Sequence, residues 1–334
     1  MELTTVWFIL IAVLFVGYFV LEGFDFGVGM LVGLMAKDDR ERRVLINTIG
    51  PVWDGNEVWL LVGGGAMFAA FPEWYATLFS GFYLPLFMIL VALIIRGVAF
   101  EYRGKRDDQA WRDRWDWAII VGSFLPALLW GVAFANIVRG VPINEAHEYT
   151  GGFFNLLNPY ALLGGLVTLT VFLVHGAVFV ALKTVGDIRD RAHAFAQRVG
   201  GLAAVLAVLF IAWTAVDAGK LSVWVAGAIA GVALLGGLAA SLRGRDGWAF
   251  LGTAVAIAAV VAMLFLALFP NVMPSSTSEL FNLTTENASS TPYTLKIMTW
   301  VAVFFTPIVV LYQAWSYWVF RKRIGVHHIP ASLH

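Results

Sequence analysis

The sequence predicts an all-α integral membrane protein of about nine transmembrane helices, with its N-terminus outside and its C-terminus in the cytoplasm. Three observations lead there. Of the 334 residues 60% are hydrophobic and only 13% are charged, about half the charge of an ordinary soluble domain. Mean hydropathy is +0.79. Apolar runs of about 20 residues recur along the chain, and basic residues fall in alternate connections between them.

Taken in order, the runs place spans at 5–35, 51–72, 75–101, 116–138, 158–183, 194–217, 222–242, 247–269 and 294–320, within one membrane domain over 1–334. The first is too long for one straight crossing, so it either tilts or breaks at Gly23, Gly27 and Gly29. Pro51 suits the first helical position of the second. Arg243, Arg245 and Asp246 separate the seventh from the eighth. Met1-Glu2-Leu3 has no basic start, so no cleaved signal peptide is expected.

Orientation follows from the basic residues. Lys37, Arg40, Arg42 and Arg43 share one connection, and Arg103, Lys105, Arg106, Arg112 and Arg114 fill the next alternate one. Lys183, Arg189, Arg191 and Arg198 follow, then Arg243 with Arg245, then Arg321, Lys322 and Arg323. The opposite connections hold Arg139 and Lys220. The positive-inside rule puts the first set in the cytoplasm. A net charge of zero gives no hint of a nucleic-acid partner, and the absence of cysteine excludes disulfides, thiolate metal sites and cysteine-ligated iron–sulfur clusters.

Four carboxylates interrupt the oily runs: Glu22 and Asp25 in the first span, Asp54 and Glu57 in the second. Each pair is spaced i, i+3, on one side of a helix. A charge at the bilayer centre costs a few kcal/mol or more, so such groups face a bundle interior or a water path. The span directions put all four, with Asn56 and Arg96, on the cytoplasmic half, and Asp116 opens the fourth span at the same side. Arg96, Asp116 and Glu22 read as structural ion pairing. Asp54, Asn56, Glu57 and Asp25 read as a proton or ion path, because four acids against one nearby arginine leave charge unbalanced. Trp59 stands one turn past the second acid pair.

His175 is the one histidine inside a span; His147, His193, His327, His328 and His334 map to connections or the tail. A haem held by two histidines needs a second one. His175 therefore reads first as a hydrogen-bonded interior residue, with haem ligation the lesser alternative, and no metal site is expected.

The chain resembles subunit II, the smaller subunit of the cytochrome bd quinol oxidases of bacteria. The likeness rests on GFDFGVGM (23–30), PVWDGNEVWL (51–60), GGAMFAAFPEWYATLFSGFY (64–83), FEYRGK (100–105), WDW (115–117), GVPIN (140–144), LLNPYALLGG (156–165), FPNVMPSST (269–277) and MTWVAVFFTPIVVLYQAWSYW (298–318). The resemblance implies a bacterial inner-membrane heterodimer that oxidises quinol and reduces dioxygen to water. It implies two haems b and one haem d, all ligated by the larger partner subunit, so that His175 is no haem ligand. It gives this subunit scaffold, a proton path through the acid of WDGN (Asp54) and that of GFDFG (Asp25), and an oxygen route at Trp59. Some members carry a structural quinone on this subunit or a small accessory subunit. Glu57 departs from members with glutamine there, and DAGKLS (217–222) is shorter than the outer insertion of some relatives. The alternatives from the residues alone are a stand-alone proton- or cation-coupled transporter with a broken helix at Gly23–Gly29, and a purely structural scaffold.

Overall fold

A computed structural model describes residues 2–329, so His334 lies outside the described residues. The chain forms α1 (Leu3–Leu34), α2 (Asp39–Ile49), α3 (Trp53–Ala70), α4 (Pro72–Gly81), α5 (Tyr83–Tyr102), α6 (Gln109–Arg139), α7 (Pro159–Lys183), α8 (Asp187–Ala218), α9 (Leu221–Leu242) and α10 (Asp246–Leu268). A short hairpin of β1 (Asn271–Met273) and β2 (Leu283–Thr284) follows, and α11 (Pro292–Val319) ends the bundle. Among the described residues, eight helices are long and apolar enough to cross a membrane: α1 and α5 to α11. The second expected span is α3, which Asp54, Asn56 and Glu57 keep out of that set. Its 18 residues still cover about 27 Å.

α1 is the hub, packed against α3, α6, α7 and α10. Contrary to one sequence expectation it is a single helix of 32 residues, unbroken at its glycines. Those glycines serve close approach instead. A Cβ on Gly27 would lie 2.0 Å from the Phe172 carbonyl oxygen and 2.8 Å from Gly176 Cα. One on Gly29 would meet Ser123 Oγ, and one on Gly17 would meet the Trp59 ring. Small residues let membrane helices pack backbone to backbone. The broken helix on which the transporter alternative rested is therefore absent from α1.

Two further expectations are corrected. The span placed at 75–101 is two helices, α4 and α5, parted at the fully buried Phe82. Pro85 explains the break: it has no N–H to offer the Gly81 carbonyl four residues back. Pro51 lies in a turn two residues before α3 rather than at its first position. α2 is an element the hydropathy runs did not contain; the Asp38 side chain caps it by accepting from the Glu41 N–H, and Val44, Leu45 and Ile49 bury its inner face.

The connections segregate to two ends. At one, 140–158 and 269–291 interlock: Val141 N–H donates to the Pro274 carbonyl (3.2 Å), and Ser290 N–H to that of Ala70 (2.8 Å). At the other, ion pairs join the basic connections: Lys37–Asp187 (2.9 Å), Arg191–Glu41 (2.6 Å), Arg42–Asp116 (3.0 Å) and Arg323–Asp246 (2.6 Å). α11 differs from the rest, because Leu295 is its one buried residue.

Gly27→Ala should destabilise the folded chain by about 1–3 kcal/mol, the usual cost of overpacking. Gly231→Ala, with nothing within 4 Å of its added Cβ, should leave stability unchanged or slightly raised. Thermal unfolding in detergent, followed by size-exclusion recovery, reads both.

Candidate functional site

α1 and α5 meet in a buried ion pair. Glu22 and Arg96 are both fully buried, and the Arg96 Nη1 donates to Glu22 Oε1. The guanidinium is flanked by aromatic faces, 4.8 Å from the Phe26 ring centroid and 5.3 Å from that of Phe100, positions that add cation–π attraction. Its stem passes under Gly122 of α6, where a Cβ would lie 2.7 Å from Arg96 Cβ. Breaking such a buried pair leaves an uncompensated charge and costs about 3–5 kcal/mol.

One turn further along α1, Asp25 is also fully buried. It has no cation of its own. Asn56, fully buried on the first turns of α3, donates from Nδ2 to Asp25 Oδ2 at 2.6 Å. Asn56 Oδ1 accepts two bonds from α11, from Tyr317 Oη at 2.6 Å and Gln313 Nε2 at 3.1 Å. Gln313 Oε1 in turn accepts from Trp59 Nε1 at 2.6 Å. Within this cluster four side-chain atoms have no partner among the described residues: Glu22 Oε2, Asp25 Oδ1, and Arg96 Nε and Nη2.

The residues singled out in the sequence divide. Glu22, Asp25, Asn56, Arg96 and Trp59 come together in this cluster. Asp54 does not: it is exposed on α3 and makes no hydrogen bond or ion pair among the described residues. Glu57 lies between, half-buried and within electrostatic range of Glu22, Arg96 and Asp54. Asp116 belongs to a separate network at the basic end, taking Arg103 Nε at 2.5 Å and Arg42 Nη1 at 3.0 Å, with Arg103 also reaching Asp39 at 2.5 Å. Gln313 and Tyr317 were missed. They sit in a continuous apolar and aromatic run, where a glutamine and a tyrosine give little signal.

His175 is fully buried and stacked on Phe250, ring centroids 4.7 Å apart. Its Nε2 faces the Val20 carbonyl at 3.1 Å, which can only accept, so Nε2 carries the proton. Nδ1 then accepts from Thr253 Oγ1 at 2.7 Å. Both ring nitrogens are engaged, which does not fit a haem ligand. No group of three or more His, Asp or Glu side chains suited to a metal occurs among the described residues.

The family model described as cytochrome bd terminal oxidase subunit II matches residues 3–320. The chain belongs to that family. It is 45% identical over 337 residues to the cytochrome bd ubiquinol oxidase subunit 2 of Bacillus subtilis, covering 99% of each. It is 38% identical over 367 residues to the cytochrome bd-I ubiquinol oxidase subunit 2 of Escherichia coli K12, covering 98% of this chain and 97% of that one. A chain in the structure of bd oxidase from Geobacillus thermodenitrificans shares the fold, with a TM-score of 0.79 at 18% identity over 96% of this chain and 97% of that one. This subunit II is thus a multi-pass protein of the bacterial inner membrane.

In subunit II, Arg96→Met should lower stability by about 3–5 kcal/mol by stranding Glu22. The double variant Glu22→Leu/Arg96→Met removes both charges and should recover most of that loss. Thermal unfolding of the two in one detergent checks the order.

Proposed function

We propose that this chain is subunit II of a quinol:oxygen oxidoreductase, acting as one membrane domain beside a larger haem-bearing subunit. That reading takes the two haems b and the haem d to be ligated by the partner, where they supply electron transfer and oxygen reduction. It is supported by the names of the relatives and by His175, whose nitrogens are both committed within this chain. The partner docks on α11, whose outer face presents Trp300, Phe304, Leu311, Trp315 and Trp318. A small accessory subunit can join the same assembly.

The observation that carries the mechanism is the fully buried Glu22–Asp25 pair, served by one arginine. An apolar interior tolerates a second carboxylate only if it is protonated or hydrogen-bonded. Reduction of dioxygen to water consumes protons, and this pair is where the subunit holds one. The positive-inside rule assigns the basic end to the cytoplasm. From there Asp54 takes up the proton at the surface, half-buried Glu57 carries it inward, and Glu22 with Asp25 receive it, Asn56 fixing Asp25. Arg96 and Asp116 hold helix register.

Trp59 lies flat on Gly17, beside Leu60 and Leu61. Those two line an apolar cavity of about 470 Å³ between α3, α4, α5 and α6, a route in which oxygen dissolves more readily than in water. The cavity also fits a structural quinone, with Met67, Leu93 and Phe134 as an apolar bed.

In the complex, Asp25→Asn should lower quinol-driven oxygen consumption at least about tenfold with haem content retained. Asp54→Asn should act in the same direction but less, because water at the surface can replace an entry group. Undiminished turnover in Asp25→Asn would remove the pair from the proton route.

A further inference from the structure

We propose that Gln313 and Tyr317 of α11 are positioning residues that fix where a proton enters and leaves the Asp25 carboxyl, at Oδ1 and not at Oδ2. This rests on the reading of Asp25 as a proton carrier. The indole N–H of Trp59 can donate and cannot accept. The atom of Gln313 facing it at 2.6 Å must therefore be the carbonyl Oε1. That turns the Gln313 NH₂ toward Asn56, 3.1 Å away, so the Asn56 atom it meets must be an acceptor, Oδ1. Tyr317 Oη donates to the same oxygen at 2.6 Å.

With Oδ1 held by two donors, the Asn56 NH₂ has one direction left, toward Asp25 Oδ2 at 2.6 Å. Asp25 Oδ2 must then be an acceptor in either charge state of the carboxyl. The carbonyl oxygen of a neutral carboxyl is the better acceptor, so the proton is favoured on Oδ1, the oxygen without a partner among the described residues. Glu22 is arranged alike. Its Oε1 accepts from Arg96, and its Oε2 is the unpartnered one. A donor-only indole on α3 thus sets the polarity of a chain of amides that ends by leaving one free oxygen on Asp25, while Arg96 does the same for Glu22. A proton on either carboxyl is then carried by an oxygen without a partner among the described residues, Glu22 Oε2 or Asp25 Oδ1. α11 otherwise has little buried contact, so these polar bonds also tie its position to the carboxyl they orient.

The test uses the oxidase complex with its partner subunit and compares Gln313→Leu, Tyr317→Phe, Asp25→Asn and the double Gln313→Leu/Asp25→Asn. Gln313→Met, similar in length and lacking a donor, is the second variant should leucine disturb folding. Readouts are haem content, quinol-driven oxygen consumption, and the infrared carboxyl band that Asp25→Asn removes. Gln313→Leu is expected to keep the haems, shift that band, and lower turnover by about three- to tenfold, the effect of losing roughly one hydrogen bond between neutral groups. Tyr317→Phe, which like Gln313→Leu spares one of the two donors to Asn56, should act in the same direction. In the Asp25→Asn background, Gln313→Leu should add nothing, because residues acting through one group are not additive. An unmoved band and full turnover in Gln313→Leu, with Asp25→Asn impaired, would overturn the positioning role and leave Asp25 in place. Losses that multiply in the double variant would overturn it too, since a general structural role adds independently. An active Asp25→Asn would instead bring down the proton-carrier reading and this inference with it.

Discussion

A carboxylate and a guanidinium, both withdrawn from solvent, hold the rest of this structure in place. Glu22 on α1 and Arg96 on α5 are each fully buried, so neither helix can rotate or slide without stranding a charge in an apolar interior. The pairing fixes the register of α1, and with it everything one turn away. Asp25 then lies where no cation remains for it. The fold answers with an amide rather than a second arginine, and that choice leaves the site one positive charge for two carboxyls. A fully neutralised pair would be a staple. An under-neutralised trio, with unpartnered oxygens, is the feature on which the proposed proton-holding role rests.

The glycines of α1 explain why this polar patch is confined. Gly27 and Gly29 bring α7 and α6 against the backbone of α1, and Gly23 faces the Phe172 ring. Those sides are sealed by contact. Gly17 admits the Trp59 ring on the side of α3, and there Asn56, Gln313 and Tyr317 converge. Close packing on two sides and an open polar corner on the third give the patch a direction, toward α3 and α11 and the half-buried Glu57.

The crossing helices were legible because hydropathy over about 20 residues is a strong and local signal. What failed was the finer punctuation. Pro85 ends one helix and permits another, yet a proline three residues into a helix looks from sequence like one inside an apolar span. α2 is only 11 residues and amphipathic, too short and polar for a span and easily read as a connection. At the site, the i, i+3 spacing of Glu22 and Asp25 and the position of Arg96 were readable, and all three gather. Asp54 and Glu57 share that spacing but not that burial, because α3 begins two residues after Pro51 and turns Asp54 outward. Gln313 and Tyr317 lie more than 250 positions from Asn56 along the chain, and only the fold brings them to it.

Density for the complex at a resolution that shows ordered water bears most directly on the proton-holding role of Glu22 and Asp25. Water about 2.7–3.2 Å from Glu22 Oε2 and Asp25 Oδ1, continuous past Glu57 to Asp54, is the expected result. Density in which both oxygens are dry, bonded only within the protein and closed off from any aqueous route, would contradict it.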